Sequence, residues 1–89
     1  MLIDFDKTKD LINIGKHGLS LALATEVDWE HAIVWIDKRR DYGEIRMIAI
    51  APSTGILYYI AFVDRVQTRR IISLRKANRR EVKHYVESP

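Results

Sequence analysis

Eighty-nine residues suit one small domain, expected to span 1–89, and leave no room for a second. With 47% apolar and 30% charged residues the chain reads as globular rather than disordered, and the lack of cysteine excludes a disulfide framework or a thiolate metal site. The net charge of +3 is unevenly spread: residues 1–35 carry −3, residues 36–68 carry +1 and residues 69–89 carry +5.

The opening stretch Met1-Leu2-Ile3-Asp4-Phe5-Asp6 has no basic region followed by an apolar run, so no signal peptide is expected. Asp6 can cap a first helix running to about Ile14, with Leu11, Ile12 and Ile14 as its apolar residues. Gly15 and Gly18 bracket Lys16-His17 and stop it. Ser20 can cap a second short helix from Leu21 to about Val27, with Leu21 and Ala24 facing in. A strand follows from Ala32 to Asp37, and Lys38-Arg39-Arg40-Asp41-Tyr42-Gly43 is a polar turn. Glu44 to Ala51 is the second strand, and Pro52-Ser53-Thr54-Gly55 a turn. Ile56 to Val63 is the third strand; its lack of alternation predicts a central, doubly covered position. That run is eight residues long, against the roughly 20 a membrane helix needs, so no membrane partner is expected; the lack of cysteine fits a reducing compartment, and a cytoplasmic location is expected.

The last third is the most informative. Arg69 to Leu74 is a β-branched fourth strand, and a basic amphipathic helix follows almost at once. Asn78 with Glu81 three residues on reads as a capping box. Val82, Tyr85 and Val86 fall on one face of that helix, with Arg79, Arg80 and Lys83 around the other side. Seven of the fifteen basic residues lie between Arg69 and Lys83, which points to a polyanion or an acidic protein partner; a solvated helix face explains the same charge. Short turns between consecutive strands favour antiparallel pairing. The predicted class is α+β: two N-terminal helices, a four-stranded antiparallel meander and a C-terminal helix.

Three blocks carry a resemblance. Phe5-Asp6-x-x-Lys9-x-x-x-Asn13-x-x-Lys16-His17-Gly18-x-Ser20 resembles the opening motif of the BrnT toxins, Tyr42-Gly43-Glu44-x-Arg46 their central strand motif, and Arg70-Ile71-Ile72-Ser73-x-Arg75-Lys76-Ala77 with Glu81 and Tyr85 their closing one. Val27-Asp28-Trp29 stands where a Phe is common, and Leu74 where Ala is frequent. The resemblance implies a RelE-like ribonuclease toxin of a type II toxin–antitoxin pair. It implies RNA cleavage without a metal or other cofactor and inhibition of translation. The implied partner is BrnA, a ribbon-helix-helix antitoxin, with operator DNA met only through that antitoxin.

Metal-free cleavage uses the neighbouring 2′-hydroxyl and needs a base, cations for the phosphoryl oxygens and an acid for the leaving oxygen. Arginine suits the second role because its planar fork binds phosphate bidentately and stays charged. The candidates are Arg46, Arg70 and Arg75. Strand alternation puts Arg46 with Glu44 on one face, and Arg75 with Ser73 and Ile71, so Arg70 points the other way unless a bulge intervenes. Glu44 is either the base or the group that holds Arg46. His17 is an acid–base candidate, and equally a residue that closes the first helix. Lys16, Lys76, Arg79, Arg80 and Lys83 are phosphate contacts or solvated cations. Tyr85 is core or RNA contact, His84 a weaker candidate, and His31 structural. No local spacing suggests a metal site. Two functional readings follow: a ribonuclease toxin, or a binding module that docks an antitoxin and co-represses its operon.

Overall fold

The unbroken apolar run from Ile56 to Val63 becomes the central strand of a mixed sheet, the place expected of a strand with apolar residues on both faces. The computed structural model describes residues 1–89. In chain order it contains β1 (Leu2–Asp4), α1 (Lys7–His17), two short 3₁₀ turns (Leu21–Thr25 and Trp29–His31), β2 (Ile33–Ile36), β3 (Met47–Ser53), β4 (Ile56–Asp64), β5 (Thr68–Lys76) and α2 (Arg79–Glu87). The sheet order is β1-β5-β4-β3-β2. All neighbours are antiparallel except β1, which runs parallel to the first three residues of β5. The β3–β4 hairpin turns on Thr54 and Gly55, both at positive φ (46° and 79°), the two-residue geometry that matches strand twist.

This corrects the expected four-stranded antiparallel meander behind two helices: the sheet has five strands, one pair is parallel, and the chain has two α-helices. β1 is only three residues long, and its pairing with Thr68–Arg70 spans most of the chain, so no local pattern announces it. The expected second helix is a 3₁₀ turn. Ser20 does cap it, accepting from the Ala22 N–H, but Thr25 Oγ1 donates back to the Ala22 carbonyl and the chain leaves the helical path. α1 runs on through Gly15 and ends at Gly18, which adopts the left-handed conformation (φ 70°) and donates to the Ile14 carbonyl. Glu44 and Arg46 lie in the loop before β3 rather than inside a strand, although the Asp37 N–H donates to the Arg46 carbonyl and extends the β2–β3 ladder by one rung.

Cross-strand register divides the sheet into two faces. Ala49, Ala51, Tyr58, Ile60, Phe62, Ile71 and Leu74 form the first, buried against Leu21, Ala24 and Val27. Each fully buried Ile, Leu or Phe there is worth roughly 1.5–3 kcal/mol over exposure. The second face carries Ile33 and Trp35, Ile48 and Ile50, Tyr59, Ala61 and Val63, Ser73 and Arg75. The register slips between Ala61 and Phe62: Ser73 faces Ala61, but Ile71 faces Phe62, and Ile72 is the extra residue. Such a bulge reverses alternation beyond it. Arg70 is therefore on the same face as Arg75, opposite Val63, and the parity that separated them is overturned.

α1 is joined to the sheet through a polar residue. Asn13 is its one buried residue; Nδ2 donates to the carbonyls of Leu74 (2.8 Å) and Leu19 (2.9 Å), and Oδ1 accepts from the Leu74 N–H (3.1 Å). The amide stands in for a neighbouring strand where β1 has ended. Leu11, Ile12 and Ile14, the apolar residues of this helix, point to solvent.

Candidate functional site

Five arginines are held by carboxylates: Arg39 by Asp37, Arg65 by Glu44, Arg69 by Asp64, Arg70 by Asp4, and Arg75 by Glu81. The other ten of the fifteen Lys and Arg side chains have no carboxylate within 4.0 Å. Arg46 is one of these, lying 4.0 Å over the Tyr42 ring. Lys76, Arg79, Arg80 and Lys83, around the start of α2, are also free and exposed.

The second face holds a closed ring of contacts. β4 and β5 set Tyr59 directly opposite Arg75, whose guanidinium lies 4.2 Å over the Tyr59 ring. Tyr59 meets Trp35 edge-on at 6.4 Å, and the Trp35 ring is 5.3 Å from His84 on α2. Three residues before His84, Glu81 accepts both guanidinium nitrogens of Arg75 at 2.8 and 2.9 Å. Glu81 also accepts from the Asn78 N–H, completing the predicted capping box. The Arg75 pKa is raised above its ordinary value chiefly by the Glu81 hydrogen bond. Burial pushes the Glu81 pKa up more than any single contact pulls it down, but the bonds from Arg75 and Asn78 with the charges of Arg75 and Arg80 hold the carboxyl below its ordinary value. A carboxylate–guanidinium pair thus lies beside the Tyr59 ring, and one helical turn on an imidazole lies against the Trp35 ring.

Asp37 anchors the loop at the edge of this ring. Its side chain is 1% exposed, and it accepts from Arg39 Nε and Nη2 (both 2.8 Å), from the Arg39 N–H and from the Tyr42 hydroxyl (2.9 Å). The Arg39 bonds hold the Asp37 carboxyl well below the usual carboxylate range despite burial. Arg39 in return is raised by Asp37 and lies within electrostatic reach of Tyr59 and Arg75.

A second cluster sits at the β5 edge. His17, Lys16 and Lys9 of α1 line a shallow cavity of about 130 Å³ with Ile12, Asn13, Ile72 and Ser73. Ser73 and Arg75 share one face of β5, about 7 Å apart along the strand. The opening and closing motifs therefore meet here.

The expected site residues are thus divided. Arg46 and Arg75 share a face, their rows four residues apart along β4, about 13 Å, with Arg46 over the Tyr42 ring and Arg75 over the Tyr59 ring. Arg70 is turned to Asp4, and Glu44 reaches Arg65 at 3.5 Å rather than holding Arg46. His17 has no oriented acid or base partner in the hydrogen-bond network. Tyr85 donates its hydroxyl to the His31 carbonyl (2.6 Å) and fastens α2 to the body. His31 is paired with Asp28 at 2.6 Å. Sequence reasoning passed over Asp37, Arg39 and Tyr59. Asp37-x-Arg39 directly after a strand was the one signal for that pair, while Tyr59 was hidden in the apolar run. No group of three histidine or carboxylate side chains converges as a metal site, and no helix is long and apolar enough to cross a membrane.

Fold and charge define a small basic α+β protein whose second sheet face, with its free cations and aromatic rings, suits a polyanion. A family model described as the ribonuclease toxin BrnT of type II toxin–antitoxin systems matches residues 5–81, and the chain belongs to that family. Membership implies RNA as substrate and an antitoxin as partner. No curated protein matches the chain.

Proposed function

We propose that the chain is a metal-independent endoribonuclease that arrests translation, with Glu81, His84 and Arg75 as its reacting groups. The observation that carries this is the contact ring, closed through one turn of α2: the Arg75–Glu81 pair lies over Tyr59, and the His84 imidazole lies against Trp35 beside it. Glu81, held ionised, takes the proton of the 2′-hydroxyl. That oxygen attacks the phosphorus and the P–O5′ bond breaks. His84 in its protonated form gives its proton to the leaving oxygen. Arg75 and Arg39 carry the charge that builds on the phosphoryl oxygens. Arg46, Lys76, Arg79, Arg80 and Lys83 hold the flanking backbone, and unstacked bases lie on Trp35 and Tyr42. Lys16 and His17 extend the cationic path along the β5 edge. The neutralising partner is a BrnA-like ribbon-helix-helix antitoxin, a reading that rests on the motif resemblance, and the pair acts in the cytoplasm.

The test is cleavage of a labelled RNA in EDTA and in a translation extract. Glu81→Gln, which keeps the capping box, and His84→Gln should each lower turnover by about 10²-fold or more with antitoxin binding retained. Undiminished cleavage by both variants would move the chemistry elsewhere, and loss in His17→Ala alone would move it to the β5 edge. One observation favours the second reading, a catalytically silent docking module: Arg75 is already saturated by Glu81. Absence of cleavage by the parent in both assays would establish it.

A further inference from the structure

The apolar side of α1 is turned outward. Leu11 is 69%, Ile12 53% and Ile14 42% exposed, while the residue that seats the helix is the polar Asn13. Thr8, Leu11, Ile12 and Gly15 follow the i, i+3, i+4, i+7 spacing by which one helix anchors on another. A side chain at Gly15 would meet no atom within 4 Å, so the backbone there is bare and open to close approach. Isolated exposed leucines are ordinary; a contiguous apolar stripe on a helix marks a contact surface.

The charges beside the stripe select the occupant. Lys7, Lys9 and Lys16 flank it and none has a carboxylate partner. The one acid of α1, Asp10, is turned away, accepting from Ser20 Oγ and the Leu21 N–H. A second copy of this chain does not fit: a two-fold contact through α1 would set lysines against lysines. A helix with apolar residues on one side and carboxylates at its margins satisfies both features.

We propose that the outward face of α1 docks an acid-flanked amphipathic helix of the antitoxin. This rests on the chain's being a toxin with an antitoxin partner and not on its ribonuclease step. The surface lies apart from Glu81, His84 and Arg75, so antitoxin held here leaves the second face to be covered by another segment or left open.

The experiment measures binding of the co-expressed, purified cognate antitoxin to the full toxin chain by calorimetry. Leu11→Glu, alone and with Ile14→Glu, should weaken the affinity at least tenfold, with the melting transition and RNA cleavage of the parent retained. Lys7→Glu should weaken it less and flatten its salt dependence. Affinity within twofold of the parent for the double variant overturns the proposal. So does a toxin dimer in sedimentation, or binding to anionic phospholipid vesicles, that Leu11→Glu abolishes, since either gives the face to a different occupant. Binding is read without turnover, so a toxin that cleaves no RNA still decides the matter.

Discussion

Asn13 and Asp37 show how single polar side chains set this fold. Asn13 satisfies both backbone groups of Leu74 from 61 residues away. Asn13→Ala leaves a buried N–H and carbonyl unpaired, so about 3 kcal/mol of stability should be lost, read as a lower urea midpoint at unchanged slope. An unchanged midpoint would mean water replaces the amide. The residue was visible in the opening motif, but its role was not, because its partner is on the last strand. Asp37 gives a pH signature. Its folded pKa is depressed, so its contribution is fully present above the unfolded value near 3.8 and is lost as pH falls below it; Glu81 acts alike from 4.5 downward. Stability should therefore fall on acidification below about pH 5. Asp37→Asn should cost about 2 kcal/mol at pH 7 and show a shallower acid limb. Urea unfolding at pH 7, 5, 4 and 3 checks this, and parallel profiles for parent and variant would refute it.

At the scale of elements, α2 was the most legible and is the most loosely held. Asn78 and Glu81 announced its capping box, which is present. The apolar side expected to bury it is largely exposed: Val82 and Val86 face solvent, and no residue of α2 is buried. What holds the helix is the Arg75–Glu81 pair, the Tyr85 hydroxyl on the His31 carbonyl and the Trp35–His84 contact. Periodicity could place the apolar residues on one face but not say that the sheet surface beneath carries Arg75 and Tyr59. Arg75→Ala should accordingly raise amide exchange of Val82 to Val86 by tenfold or more while β4 amides stay protected. Equal exchange in the parent and the variant would show that Tyr85 and Trp35 suffice. The bulge at Ile72 belongs to the same lesson. Alternation read from Arg70 to Arg75 assumes an even count, and one unpaired residue reversed the answer.

Across the whole molecule, motif order along the chain outlasted the errors in strand count. The three blocks surround one sheet, with α1 at the β5 edge and the Tyr42 loop and α2 over its second face. Tertiary pairing also sorted the cations, which composition alone could not do. Arg65 and Arg69 are neutralised by Glu44 and Asp64, whereas Lys76, Arg79, Arg80 and Lys83 are free. Only free cations release counterions when they meet a phosphate backbone, so RNA affinity should fall with salt by a slope set by the free set. Replacing Arg79, Arg80 and Lys83 together by Gln should reduce the slope of log affinity against log salt by about 0.7 for each cation lost, or about 2 in all. Replacing Arg65 and Arg69 should leave it nearly unchanged, although Arg69→Gln also removes its stacking on Trp29 and Phe62 and lowers stability. Binding of a labelled single-stranded RNA to the His84→Gln protein, from 50 to 300 mM salt in EDTA, measures both slopes. If the Arg65 and Arg69 variant flattens the curve as much as the α2 variant, the RNA path crosses the β4–β5 turn and the second face is not where the backbone lies.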